Sequence, residues 1–373
     1  MMKRTKDSMF FIFPLDGVML TDAAGELTDD GLKIRVKLDA SEGRRLTLNG
    51  EELKKSGLGI YAKDIILNKF KTTLEVVDLD TNQREAIDVY YLKKANKKYR
   101  FSFDDVIWSL QDINEHKDEY TSIFDNPFFG LLKAMHDKWG TKMHVNIYYE
   151  TPRHGGFNLT QMTDKFKPEW QANAHWLKLC FHANADKPNR PYAHVSYEQM
   201  YFEGKRVIDE IYRFAGKEVH TNGVMTLHFG DCSVEGARAL RDLGYNILTG
   251  GFFWNKLTGF DTRQYLDTEQ CNILTKYGFY YDKEEDIYFF RHNGGIQHRS
   301  PDEIFTHFDN MAEEYPFFQF KDIVLHEQYF YPEYPKHQPN YYEKMDNTMK
   351  WCHEHGFESV FTSEIFDLEN NLK

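Results

Sequence analysis

Between residues 8 and about 96 apolar and polar positions alternate with a period of two, in the runs MFFIFPL, LKIRVKL, RLTLNG, GIYAKDIIL, TTLEVVDL and AIDVYYL. Each run has the length of a strand, and turn-forming segments separate them: Asp22-Ala23-Ala24-Gly25, Ser41-Glu42-Gly43, Asn49-Gly50 and Asp80-Thr81-Asn82. Six or seven short strands with no helical period predict a small all-β, antiparallel sandwich of immunoglobulin-like type. Asn49-Gly50 predicts a tight hairpin, because both residues tolerate positive φ. Lys93-Lys94-Ala95-Asn96-Lys97-Lys98 reads as a linker. The expected boundaries are therefore 1–96 for the β module and 97–373 for the remainder.

From Tyr99 the period changes, and strands alternate with helices. FSFDD, KMHVNIYY, LKLCFHAN, GVMTLHF, YNILTGG and DIVLHE are strand-like. NPFFGLLKAMHDKWG, SYEQMYFEGKRVIDEIYRFAG and SVEGARALRDLG have helical spacing and end on Gly140, Gly216 and Gly244. Such alternation predicts an α/β fold with a parallel sheet or barrel, whose strands present one functional face at their C-terminal ends. Asp104, Asp105, His182, His228 and His326 all fall at or near such ends. Residues 252 to about 298 interrupt the pattern, and GFYYDKEEDIYFFRHNGG reads as a β-hairpin inserted over one rim.

Composition narrows the partners. With 41% hydrophobic and 16% aromatic residues, the 373-residue chain has ample material for a core. A net charge of -12 opposes binding to nucleic acid or an anionic membrane, both of which are held by clustered Lys and Arg. No apolar run approaches the length of a membrane span. FFIF is broken by Pro14 and Asp16, so no leader is legible; the expected location is cytoplasmic, or extracytoplasmic if a leader has been removed. Cys180, Cys232, Cys271 and Cys352 lack metal or redox spacing and read as reduced core residues. Nothing in the sequence addresses oligomeric state.

The chemistry centres on Phe101-Ser102-Phe103-Asp104-Asp105. A strand that ends on two carboxylates can use one to ligate a cation and keep the other as a base. An Asp with two His ligands leaves positions open on a zinc-like ion, which lowers the pKa of water from about 16 toward about 7. Trp108, Trp254, Tyr329 and Tyr331 are candidates for stacking on sugar rings. Asn184 and Asp231 are candidates for binding substrate hydroxyls.

Taken in order, FSFDDV, LLKAMHDKWGTKMHVNIYY, LCFHAN, ALRDLGYNIL and DIVLHE resemble the successive motifs of the NodB-homology polysaccharide deacetylases. That family opens on T-F-D-D-G, continues with L-L-K-K-Y-G-V-K-A-T-F-F and closes on I-L-L-H. The resemblance covers residues 99 to 365 and leaves out the N-terminal strands. It implies a distorted (β/α) barrel and a hydrolase of carbon–nitrogen bonds that uses a divalent metal, zinc foremost, to remove an acyl group, N-acetyl foremost, from a carbohydrate. Position by position it implies Asp104 as general base, Asp105 and His182 as metal ligands, and His326 as general acid.

Three positions depart from the pattern. The family's second metal His would fall at Asp186, and Pro188 and Pro191 forbid a helical His-x-x-x-His face. The third ligand is then His194 across a loop, His228 on the next strand end, or Asp186 itself, with the two histidines favoured. LHFGDCS replaces the family's Arg-Pro motif, so Asp104 needs another partner, either Arg291 or a backbone donor. Val106 stands where the family has Gly. The same departures suit an inactive, glycan-binding member of the fold. A glycosidase with two carboxylates is a third reading, which leaves the ordered histidines without a role.

Overall fold

The structure is a computed structural model. It describes residues 9–221, 223–252, 254–255 and 260–366, without the side chains of 254–255 and 260–261. The alternating runs form two five-stranded sheets. One joins Met9–Phe13, Gly31–Ala40, Ile60–Leu67 and Lys54–Gly57, with Glu26–Thr28 at its side; the other joins Met19–Leu20, Arg84–Tyr91, Lys71–Asp78, Leu46–Leu48 and Glu51–Glu52. Asn49 and Gly50 both have positive φ, 49° and 82°, and turn Leu48 directly back onto Glu51. Alternation decides which side chains face inward: Leu32, Ile34, Val36 and Leu38 are buried, while Arg35 and Lys37 between them are exposed.

Besides the short Glu358–Ser359, which pairs in parallel with Lys98 and Tyr99, eight further strands each pair in parallel with at least one neighbour: β1 (Lys98–Val106), β2 (Met143–Tyr148), β3 (Leu177–Ala183), β4 (Val224–Thr226), β5 (Ile247–Gly250), β6 (Ile287–Arg291), β7 (Gly294–Gly295) and β8 (Phe320–His326). They form two sheets, ordered β3-β2-β1-β8-β7 and β4-β5-β6. Between β3 and β4 the only pairing among the described residues is a bridge from Leu179 to His220, and β6 passes into β7 through His292 and Asn293. A continuous hydrogen-bonded ring is thus not formed among the described residues. The fold is mixed α/β.

The expected rim hairpin requires a correction. Phe279–Asp282 and Ile287–Arg291 do pair antiparallel around a charged turn, but β6 also pairs in parallel with β5 through Ile247–Gly250. It is therefore an integral strand rather than an appendage. Its residues Ile287, Tyr288, Phe289 and Phe290 are buried on both faces, the mark of an interior parallel strand.

In β1, Phe101 and Phe103 point outward, and Phe103 meets Phe128 of the helix Pro127–Trp139 edge to face, with centroids 5.5 Å apart. That helix starts at Asn126, whose side chain accepts from Phe128 N and Phe129 N, and stops at Gly140 in the left-handed region. Arg100, Ser102 and Asp104 occupy the opposite face. Arg100 and Asp322 lie in register on β1 and β8, and Arg100 Nη1 donates to Asp322 Oδ1 at 2.8 Å. Arg100 also donates to Thr226 of β4, while Asp322 accepts from Thr249 of β5 and contacts His292 Nδ1 at 3.2 Å. This network, centred on the buried Arg100–Asp322 pair, joins the two sheets where no ladder among the described residues does.

All four cysteines are buried. Among the described residues no helix is long and apolar enough to cross a membrane.

Candidate metal centre

Backbone irregularities at three strand ends aim the side chains of the centre. The β1–β2 register slips between Phe103 and Val106, and Asp105 adopts a φ of 62°, in the left-handed region uncommon for a residue with a Cβ. That bulge releases Asp104 and Asp105 from strict alternation. The β2–β3 register slips as well: Ile147 faces Phe181 and Tyr148 faces Ala183, leaving His182 as the extra residue. His228 opens a short turn just beyond β4, followed by Phe229 with a φ of 66°.

The ligand atoms of Asp105, His182 and His228 all lie within 4.8 Å of one another. His182 Nε2 stands 3.0 Å from Asp105 Oδ1, His228 Nδ1 stands 3.2 Å from the same oxygen, and the two imidazole nitrogens are 3.3 Å apart. His182 donates its Nδ1 hydrogen to the carbonyl of Thr226 at 2.7 Å, which leaves the Nε2 lone pair facing the carboxylate. Two acceptors at that separation need a proton or a cation between them. One hard oxygen and two imidazoles suit a zinc-like ion, so the donor set fits the group the resemblance implies.

Electrostatics at the centre follow the same pattern. Burial alone pushes the Asp105 carboxyl up, but hydrogen bonds from His182 and His228 outweigh it and hold the group well below the ordinary carboxylate range. Burial disfavours a charged His182; the nearby Asp104 and Asp105 charges reverse this and raise it. Gln328 Nε2 donates to the other Asp105 oxygen at 2.8 Å.

The other expected residues fall in different places. Asp104 is in register with His326 across β1 and β8, beside the cluster. Its carboxylate accepts from Asn146 Nδ2 at 2.7 Å, a partner the sequence reading missed. Arg291 does not serve it: that guanidinium donates to Thr275 O and lies over the Tyr315 ring, because β6 turns the side chain away from β1. His194 is exposed in the turn that precedes the helix Tyr197–Phe214 and is not in the cluster. Asp186 lines the adjoining cavity without joining the cluster.

That cavity, about 330 Å³, is reached by Asp105, Tyr148 and His228 and walled by Trp108, His154 and Tyr334. Trp108 stacks on His154 with centroids 4.2 Å apart, and Tyr334 meets the indole edge-on. Two expected wall residues do not line it. Tyr329 packs between His326 and Tyr334, and Tyr331 packs against Trp108. Asn184 and Asp231 are absent from the lining too. Asn184 donates to Glu150, while the buried Asp231 carboxylate is held by the half-buried Arg190 in an ion pair. The Trp254 side chain lies outside the described residues.

Glu327, beside His326, caps a helix. Its carboxylate accepts from the backbone N–H groups of Ile107, Trp108 and Ser109 at 2.7, 2.9 and 2.8 Å, at the start of the helix Trp108–Glu115. Glu327→Ala strands those donors in a buried setting and is expected to cost about 1–3 kcal/mol. Urea unfolding measures it; a loss under about 0.5 kcal/mol contradicts the capping role.

No family model matches the chain, and no curated protein sequence does. Solved structures do. The Bc1960 peptidoglycan N-acetylglucosamine deacetylase is 12% identical over 73% of this chain and 89% of its own, with a TM-score of 0.39. The T48 deacetylase with substrate is 11% identical over 73% and 92%, with a TM-score of 0.40. The 4-alpha-glucanotransferase from Thermococcus litoralis is 12% identical over 72% of this chain and 39% of its own, with a TM-score of 0.45.

Proposed function

We propose that the chain is a divalent-cation-dependent hydrolase that removes an acyl group, N-acetyl foremost, from a polysaccharide or oligosaccharide. The observation that carries this reading is the meeting of one carboxylate and two imidazoles within 4.8 Å, beside a second carboxylate in register with a histidine. Asp105, His182 and His228 hold the ion, and zinc suits that donor set. The ion supplies Lewis-acid polarisation and a more acidic water. Asp104, steadied by Asn146, takes the proton of the attacking water, and His326 returns a proton to the leaving nitrogen. Trp108 and Tyr334 offer apolar faces to a sugar ring.

We further read residues 1–96 as an immunoglobulin-like module that buttresses residues 97–373. Supporting this, Val18 bridges to Tyr280 and Met19 packs in one apolar cluster with Phe279 and Phe290.

Elemental analysis of purified protein is expected to find about one divalent ion per chain. Asp105→Ala and His182→Ala each weaken its uptake by more than about 100-fold, beyond the usual loss of an outer-shell partner. His194→Ala leaves uptake unchanged. Acetate release from an N-acetylated glucosamine oligomer stops on chelation and returns with zinc. Full uptake by both alanine variants overturns the reading. Oligosaccharide binding with neither ion nor acetate release identifies a non-catalytic glycan binder instead.

A further inference from the structure

Tyr148 has no part in the scheme above, yet its hydroxyl lies inside the ligand cluster. It closes β2, and its side chain is almost wholly buried, at 1% exposure. The phenol donates to Asp105 Oδ1 and stands 3.1 and 3.3 Å from the two nitrogens of His228. Its ring meets His228 edge-on at 5.3 Å and tilts against His182 at 5.4 Å. Tyr148 also lines the 330 Å³ cavity together with Asp105 and His228. A tyrosine that serves packing alone would direct its hydroxyl to solvent or a backbone carbonyl; this one faces Asp105 and His228, two of the three residues that would hold an ion.

A phenol has one proton to donate. Once Asp105 Oδ1 shares its charge with a cation it becomes a weaker acceptor, and the open space beside the phenol is the cavity. We infer that Tyr148 is a catalytic hydrogen-bond donor whose O–H binds the acyl oxygen of the substrate as negative charge develops there. This role rests on the proposed hydrolase reading. As the water oxygen bonds to the acyl carbon, the carbonyl π pair moves onto the acyl oxygen, and the water's proton passes to Asp104. Tyr148 holds the resulting oxyanion without losing its own proton. The pair then re-forms the carbonyl, the C–N bond breaks, and the leaving nitrogen takes a proton from His326.

Tyr148→Phe keeps the ring and removes only the donor. It is expected to lower kcat by about 10²–10³, the usual loss for one oxyanion donor, with KM changed less than about threefold. Stoichiometric uptake of Co²⁺ and the visible spectrum of the cobalt protein match those of the wild type. A tetrahedral methylphosphonamidate analogue of the acetamido group binds the variant about 100-fold more weakly, while the substrate binds both proteins alike. An unchanged kcat and analogue affinity in Tyr148→Phe, with a normal wild type, overturns the donor role alone. So does an altered cobalt spectrum with activity restored at high Co²⁺, which makes the phenol a ligand. Failure of the wild type to take up a cation and release acetate overturns both readings.

Discussion

Asp104→Asn is expected to lower turnover of an N-acetylated glucosamine oligomer by about 10²–10⁴, the range that general-base catalysis contributes, while the protein still binds about one divalent ion. The substitution is nearly isosteric, and an amide oxygen still accepts from Asn146 Nδ2, which donates to Asp104 Oδ1 at 2.7 Å. What the variant loses is an oxygen able to take a proton from water. The cluster of Asp105, His182 and His228 does not include Asp104, so ion uptake separates the two roles. Turnover within about threefold of the wild type, measured with the ion content confirmed, removes Asp104 as the base.

Arg100→Met is expected to destabilise the protein by about 3–5 kcal/mol, the cost of breaking a buried ion pair from one side. Arg100 and Asp322 are each 1% exposed, and the substitution leaves the Asp322 carboxylate with only Thr249 and His292 as polar partners. Replacing both members, Arg100→Met with Asp322→Leu, recovers part of the loss, because no buried charge is then left unpaired. Urea unfolding of the three proteins tests this; a single-variant loss below about 1 kcal/mol would falsify the idea that the pair ties the sheets together.

Acid titration gives a second readout. Burial pushes the Asp322 carboxyl up, but the Arg100 charge and the His292 bond outweigh it and hold it below its ordinary value of 3.8. A depressed folded-state value means that the stabilisation is fully present above the unfolded value. It is lost as pH falls from about 4 through the folded value. Arg100→Met removes the main lowering influence, so its acid unfolding midpoint moves to higher pH.

Much of the local structure was legible because its causes are local. Period-two patterning located Gly31–Ala40, Ile60–Leu67, Lys71–Asp78 and Arg84–Tyr91, and Asn49-Gly50 marked its hairpin. Ser233 caps the helix Val234–Asp242 by accepting from Gly236 N, as the sequence SVEG suggests. The hairpin around residues 283–286 was visible too, but its second strand's place in the parallel sheet was not. A run buried on both faces has no alternation to show which neighbours it has.

By itself, the sequence determined that acidic and imidazole side chains stand at successive strand ends, because strand limits and hydrophobic period are written within a few residues of each position. Tertiary structure alone decided which of them meet. His228 enters the cluster and His194 does not, because β4 ends beside β3 while the loop of His194 faces outward. Asn146 and Tyr148 carried no signal of their own; each gains its partner from β1–β2 pairing and from a bulge that no local pattern announces. Convergence is set by strand order and register between segments far apart in the chain, and those depend on the packing of the whole fold.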